Sequence, residues 1–293
     1  MDLGRIATAM VTPFRDDGGI DFETAGKLIE HLLANGTDSI VVCGTTGESP
    51  TLSKEEKLEL IRFTVEKVNK RVPVIAGTGS YDTKETIELT KKVEGLGVDG
   101  VMLVAPYYNK PNQRGLYAHF EAVAKETVLP IVLYNVPGRT SSNIEAATTI
   151  ALSKIPNIQV VKEASGNLDQ MAEILANTDD DFLVYSGDDA LTLPLLAIGG
   201  RGVISVASHV VGKEMQAMIR AFEEGRHDVA AKIHQTLLPL FKQLFKSPNP
   251  VPIKYALGKV GFHIEKVRLP LVEMTDDEKR QFDRVWEQVK QKL

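Results

Sequence analysis

The chain has 293 residues, 43% of them hydrophobic and 25% charged, with a formal net charge of −5. It can bury a large core, and its acidic balance excludes nucleic acid and anionic membrane surfaces as electrostatic partners. The single cysteine, Cys43, rules out an intramolecular disulfide. No apolar run could cross a bilayer and no basic-then-apolar leader opens the chain, so a soluble cytoplasmic protein is expected.

Short β-branched runs predict strands at 6–13 (IATAMVTP), 39–44 (SIVVCG), 72–79 (VPVIAGTG), 100–106 (GVMLVAP), 130–136 (PIVLYNV), 158–165 (IQVVKEAS), 182–187 (FLVYSG) and 202–208 (GVISVAS). Between them lie helical patterns such as FETAGKLIEHLLANG (22–36), SKEEKLELIRFTVEKVN (53–69) and TKETIELTKKVEGLG (83–97), several stopped by glycine. The strands are too uniformly apolar to have a wet face, which predicts a parallel sheet buried on both sides. Eight strands alternating with helices are the count of a (β/α)8 TIM barrel, placed at 1–226. GKEMQAMIRAFEEG (212–225) closes the eighth unit. DVAAKIHQTLLPLFKQLFK (228–246), VPIKYALGKVG (251–261) and DDEKRQFDRVWEQVKQKL (276–293) then predict a C-terminal helical extension over 227–293, with the breaker SPNPVP inside it.

GLGVDG at 95–100 matches GxGxxG by letter, but a helix ends and a strand begins there, the reverse of a dinucleotide site. No nicotinamide cofactor follows. The six histidines (31, 119, 209, 227, 234, 263) show no metal-ligand spacing, so no metal is expected. Cys43 reads as a small core residue, and Ser53, Asp188 and Asp189 read as helix caps.

Chemistry in such a barrel belongs at the C-terminal strand ends. There the chain carries GTTGES (44–49), GTGS (77–80), PYYNKPN (106–112), YNVPGRT (134–140), KEASGN (162–167), SGDD (186–189) and SVAS (205–208). Lys162 stands out, because lysines are rarely buried in apolar strands. A free amine condenses with carbonyls, and a dry barrel favours the neutral form. Tyr134, at the end of the neighbouring strand, is placed to shuttle protons. The glycines, paired threonine hydroxyls and backbone N–H groups of GTTGES suit a small carboxylate. Together they read as Schiff-base chemistry on a small keto acid.

GTTGES, PYYN, YNVPGRT, VKEASGN and SGDD, in this order and on these strands, resemble the dihydrodipicolinate synthase family. That family lies within the pyruvate-dependent class I aldolase superfamily, which also contains N-acetylneuraminate lyase. The resemblance runs from about Ile6 through the LPL of 269–271. It implies that Lys162 forms an imine with pyruvate and that the derived enamine attacks L-aspartate 4-semialdehyde. The product would be 4-hydroxy-tetrahydrodipicolinate, on the route to diaminopimelate and lysine. It further implies that Tyr134, Thr46 and Tyr108 relay protons, that Thr45 and Thr46 hold the pyruvate carboxylate, and that Arg139 receives the semialdehyde carboxylate. Gly187 and Ile204 would line the pyruvate pocket. Neither metal nor organic cofactor is implied. The partners implied are the two substrates and copies of the chain itself, a dimer of dimers in which Tyr108 reaches the neighbouring subunit's site.

The competing reading is another Schiff-base aldolase or lyase of the superfamily, acting on a sugar acid or keto acid. Arg139 argues against it, since a polyol substrate needs hydroxyls where a short charged one needs a guanidinium. A barrel that binds a keto acid without turning it over is the second alternative, and the full relay set argues against that. Feedback-inhibited family members bind lysine near the helix after GTTGES. This chain carries Pro50, Lys54, Lys57 and Tyr81 there, beside Glu85 and Tyr107. The two ammonium groups predict insensitivity to lysine.

Overall fold

The structure, a computed structural model, describes residues 1–293. All eight expected strands form: β1 (Ile6–Ala9), β2 (Ser39–Val42), β3 (Val74–Gly77), β4 (Gly100–Val104), β5 (Ile131–Asn135), β6 (Ile158–Glu163), β7 (Leu183–Ser186) and β8 (Gly202–Ser205). They pair in parallel in chain order, and β8 closes on β1 with Ala7 opposite Ile204. Most stop two to four residues before their apolar runs do. Met10, Val11 and Thr12, for example, are as buried as the strand they follow, because the loops above the barrel are themselves covered.

The helices α1 (Phe22–Ala34), α2 (Lys54–Val68), α3 (Thr83–Glu94), α4 (Gln113–Ala124), α5 (Pro137–Thr140), α6 (Ala146–Leu152), α7 (Leu168–Ala176), α8 (Thr192–Ala197) and α9 (Ser208–Glu223) surround the sheet. Their starts are written locally. Asp21, Asp82, Asn112 and Asn167 each accept a backbone N–H of the first turn. Ser53 forms a reciprocal capping box with Glu56. Within 95–100, Gly95 caps α3, Gly97 takes a left-handed φ of 81° and Gly100 opens β4, the helix-to-strand order expected there.

Alternation along each strand sorts the apolar residues into two layers. One set packs inside the barrel, including Ala7, Val41, Ile75, Met102, Val132, Tyr134, Val160, Tyr185 and Ile204. The other faces the helices and forms a cluster of 61 buried residues. Tyr185 plugs the lower barrel, its hydroxyl donating to the Gly4 carbonyl and accepting from the Leu3 N–H.

Beyond α9 come α10 (His227–Gln243), α11 (Val251–Gly258) and α12 (Asp276–Lys290). Leu237, Leu240, Phe241, Ile253, Phe282 and Trp286 join the same outer cluster as the barrel helices. No helix is long and apolar enough to cross a membrane.

Candidate active site

Lys162 is the fifth residue of β6, two after Val160, which faces into the barrel, and flanked by Val161 and Glu163, which face out. It is 5% exposed. The register sets Tyr134 of β5 and Tyr185 of β7 opposite it. The Nζ atom lies 4.1 Å from the centroid of the Tyr134 ring, so the amine rests against the ring face. On the other side is Gly187, just past β7. A Cβ there would come within 2.6 Å of Ala164 Cβ and 3.0 Å of Lys162 Cε, so the absence of a side chain makes room for the lysine stem. Ile204, from β8, packs into the same interior layer.

Glu163 faces outward yet is fully buried, accepting from Asn135 Nδ2, Gln170 Nε2 and the Ser165 N–H. These bonds tie the end of β6 to β5 and α7, and so fix the backbone that carries Lys162.

The GTTGES segment folds tightly above β2. The Gly47 and Glu48 N–H groups are spent on the Gly44 and Thr45 carbonyls, whereas those of Thr45 and Thr46 make no backbone hydrogen bond. Two adjacent unpaired N–H groups with two hydroxyls are a seat for a carboxylate. Thr46 is buried, and its Oγ1 accepts from Asn249 Nδ2 at 3.0 Å. Glu48 takes a left-handed φ of 55° and receives Lys254 Nζ at 2.6 Å and the Arg268 N–H at 3.0 Å. Burial brings the Lys254 amine down to about 8, against the pull of Glu48. The Phe14 ring lies under both cations, 4.4 Å from Lys254 Nζ and 4.5 Å from Arg268 Cζ. The C-terminal extension therefore grips the loop after β2, a relation that local patterns in the sequence did not reveal.

A cavity of about 660 Å³ opens over β2 to β5. Thr45, Tyr134 and Arg139 line it, together with Lys54, Lys57 and Tyr107. Arg139, on α5, is exposed and free of any ion pair. Lys162, Thr46, Gly187 and Ile204 are not among its lining residues. Tyr108 stands apart, 91% exposed with a left-handed φ of 70°. The Tyr134 and Tyr108 hydroxyls form no hydrogen bond with each other or with Thr46 inside this chain. Cys43 is buried and its thiol is pushed up to about 12, in keeping with a core role. Asp188 caps the turn at 189–191, and the buried Asp189 accepts from the Val206 and Ala207 N–H groups, pinning the loop after β8.

The model of the Dihydrodipicolinate synthetase family matches residues 2–289. The chain belongs to this family. Among its relatives is a 4-hydroxy-tetrahydrodipicolinate synthase of Bacillus velezensis, 60% identical over 279 residues that cover 95% of this chain and 96% of that one. A dihydrodipicolinate synthase structure from Bacillus anthracis superposes with a TM-score of 0.97 at 54% identity, covering 98% of each chain. Another, from Cyanidioschyzon merolae and solved with lysine bound, superposes at 0.96 with 48% identity and the same coverage of both chains. The lyase fold and its helical C-terminus are common to the family.

Proposed function

We propose that this chain condenses pyruvate with L-aspartate 4-semialdehyde to give 4-hydroxy-tetrahydrodipicolinate, for the diaminopimelate and lysine route. The observation that carries the reading is Lys162: a buried amine against the Tyr134 ring, with a glycine where any side chain would crowd its stem. In this reading the Lys162 amine adds to the pyruvate ketone, and the carbinolamine loses water to form the imine. Loss of a methyl proton gives the enamine, whose carbon bonds to the aldehyde carbon of the semialdehyde. The semialdehyde amine then attacks the imine carbon, closing the ring and releasing the Lys162 amine. Tyr134 moves the protons these steps require, Thr46 links it to Tyr108, and Thr45 and Thr46 seat the pyruvate carboxylate. Ile204 and Gly187 shape the pyruvate pocket, and Arg139 takes the second carboxylate at the rim.

The working unit in this reading is a cytoplasmic homodimer, doubled to a tetramer, with Tyr108 completing the neighbour's relay. The exposure of Tyr108 on a strained loop supports this. The test is borohydride reduction in the presence of pyruvate, followed by peptide mass mapping. One pyruvate-derived adduct on the Lys162 peptide is expected, and Lys162→Arg should abolish it, since a guanidinium stays protonated. An adduct on another lysine, or none, would overturn the mechanism.

A further inference from the structure

Alternation turns Lys162 and Tyr134 into the barrel and the residues that follow them, Glu163 and Asn135, toward the helices. The register sets Tyr134 opposite Lys162 and Asn135 opposite Glu163. Asn135 and Glu163 are both fully buried, and Asn135 Nδ2 lies 3.2 and 3.0 Å from the two Glu163 oxygens. Every hydrogen bond that Glu163 accepts comes from an uncharged N–H group, those of Asn135, Gln170 and the Ser165 backbone. A buried carboxylate without a cation is costly. A glutamine of the same shape would be less so, unless the contact needs acceptors that an amide cannot supply.

The two ends of the contact show that it does. The Ile144 N–H donates to Asn135 Oδ1 at 2.9 Å, and the Ser165 N–H donates to Glu163 Oε1 at 2.7 Å. Backbone N–H groups cannot turn over, so Asn135 must show its oxygen to Ile144 and its nitrogen to residue 163. An amide at 163 would accept from Ser165 but set its own NH2 against the NH2 groups of Asn135 and Gln170. Two amides across this contact are one acceptor short, and two carboxylates are one proton short. One of each fits. The ladder between β5 and β6 also shifts register between Ile131 and Val132, so the alignment at the upper end of the strands is not simply inherited from the lower end.

We infer that Asn135 and Glu163 are positioning residues: joined behind the sheet, they hold the Tyr134 ring against the Lys162 amine for imine formation. The inference rests on the reading of Lys162 as the imine-forming amine. Neither residue touches a reacting atom.

The experiment uses the full chain and the variants E163Q, N135D and the exchange N135D/E163Q, each checked for folding by thermal melting. Imine formation is timed by quenching with borohydride over a range of pyruvate concentrations. E163Q should lower the maximal rate roughly tenfold to a hundredfold, the loss expected from a misplacement of about 1 Å, with the half-saturating pyruvate concentration little changed. N135D brings two carboxyls together, which favours sharing one proton between them. This variant should be slow at neutral pH and recover toward acid pH relative to the unsubstituted chain. The exchange returns one carboxylate and one amide with the polarity of the contact reversed, and the Asn143 and Gln170 amides, bonded to each other and to the pair, can turn over to follow. It should recover most of the loss. If the unsubstituted chain forms no adduct on Lys162, the imine reading fails and takes the inference with it. If that adduct forms and E163Q forms it as fast, the reading stands and the pair has no positioning role. The same follows if melting points track the substitutions while the rates do not, or if the exchange folds yet is as slow as E163Q. Should E163Q fail to fold, N135D decides, and a pH profile parallel to that of the unsubstituted chain overturns the inference.

Discussion

At the residue scale, the charges that line the cavity have different tasks. Arg139 is exposed on α5 and is paired with no carboxylate, so its guanidinium is available to a carboxylate arriving from solvent. Arg139→Ala is expected to lower kcat/KM for the semialdehyde on the order of tenfold to a hundredfold, while pyruvate is still trapped by borohydride. Equal loss of trapping would mean that Arg139 supports the fold of the rim instead. Of the lysines that line the same cavity, Lys54 is paired with Glu88 at 3.2 Å, whereas Lys57 forms no ion pair. A ligand ammonium near Lys57 would pay about 1 kcal/mol in water, and about 4 at an effective dielectric near 20, for a 4 Å separation. Glu85 and the half-exposed Tyr81 line the same cavity, and the Glu85 carboxylate offers some attraction. Free lysine is therefore expected to leave the activity unchanged. Half-inhibition below about a millimolar would show that a ligand ammonium does find room.

The elements that hold the site were legible in the sequence to very different degrees. Strand number, strand order and the loop each site residue occupies followed from periodicity and from caps written within a few residues. The placing of Lys162 beside Tyr134 followed from strand adjacency once the barrel was inferred, whereas Gly187 entered through the family resemblance alone and its closeness to the Lys162 stem emerged only in the structure. The grip of Asn249, Lys254 and Arg268 on the loop after β2 did not follow, because it joins residues some 200 positions apart in the chain and leaves no local pattern. His209 was hidden for the same reason. Its Nε2 accepts the Val11 N–H at 3.2 Å, its Nδ1 bonds the Val206 carbonyl, and its own carbonyl bonds the His31 ring, so it ties β1, β8 and α1 together. Burial lowers it from 6.5 to about 4, so it is neutral when folded but protonates near 6.5 when unfolded. The unfolded chain then binds more protons between these values, and stability falls as pH falls from 6.5 toward 4. His119, lowered by burial to about 4, adds to this trend. Asp189, raised by burial to about 6, opposes it. One pKa unit corresponds to about 1.4 kcal/mol, so the midpoint of thermal melting should drop measurably between pH 7 and pH 5. His209→Gln, which keeps an acceptor for Val11, should drop less over the same interval. Identical slopes would remove His209 from the account.

At the scale of the whole molecule, one chain holds every proposed site residue except a usable tyrosine at the end of the relay. Tyr108 sits at the tip of the loop after β4, 91% exposed, and the neighbouring Lys110 also has a left-handed φ, of 47°. A bulky aromatic held in that conformation in water gains nothing from burial, which fits a side chain whose surroundings come from another copy. If Tyr108 serves the neighbour's site, each site in a dimer draws its lysine from one chain and its terminal tyrosine from the other. Tyr108→Phe and Lys162→Ala homodimers should then both be strongly impaired. After subunit exchange, a mixed dimer contains one site with the lysine of the Tyr108→Phe chain and the tyrosine of the Lys162→Ala chain, and that site is intact. Statistical mixing of equal amounts makes half of the dimers mixed, each with one working site of two, so about a quarter of the unsubstituted activity should return. The measurement is the coupled condensation assay on the mixture, with mass-tagged chains to verify exchange. Verified exchange without recovery would mean that each chain supplies its own tyrosine, and that the loop folds back over its own barrel when substrate binds.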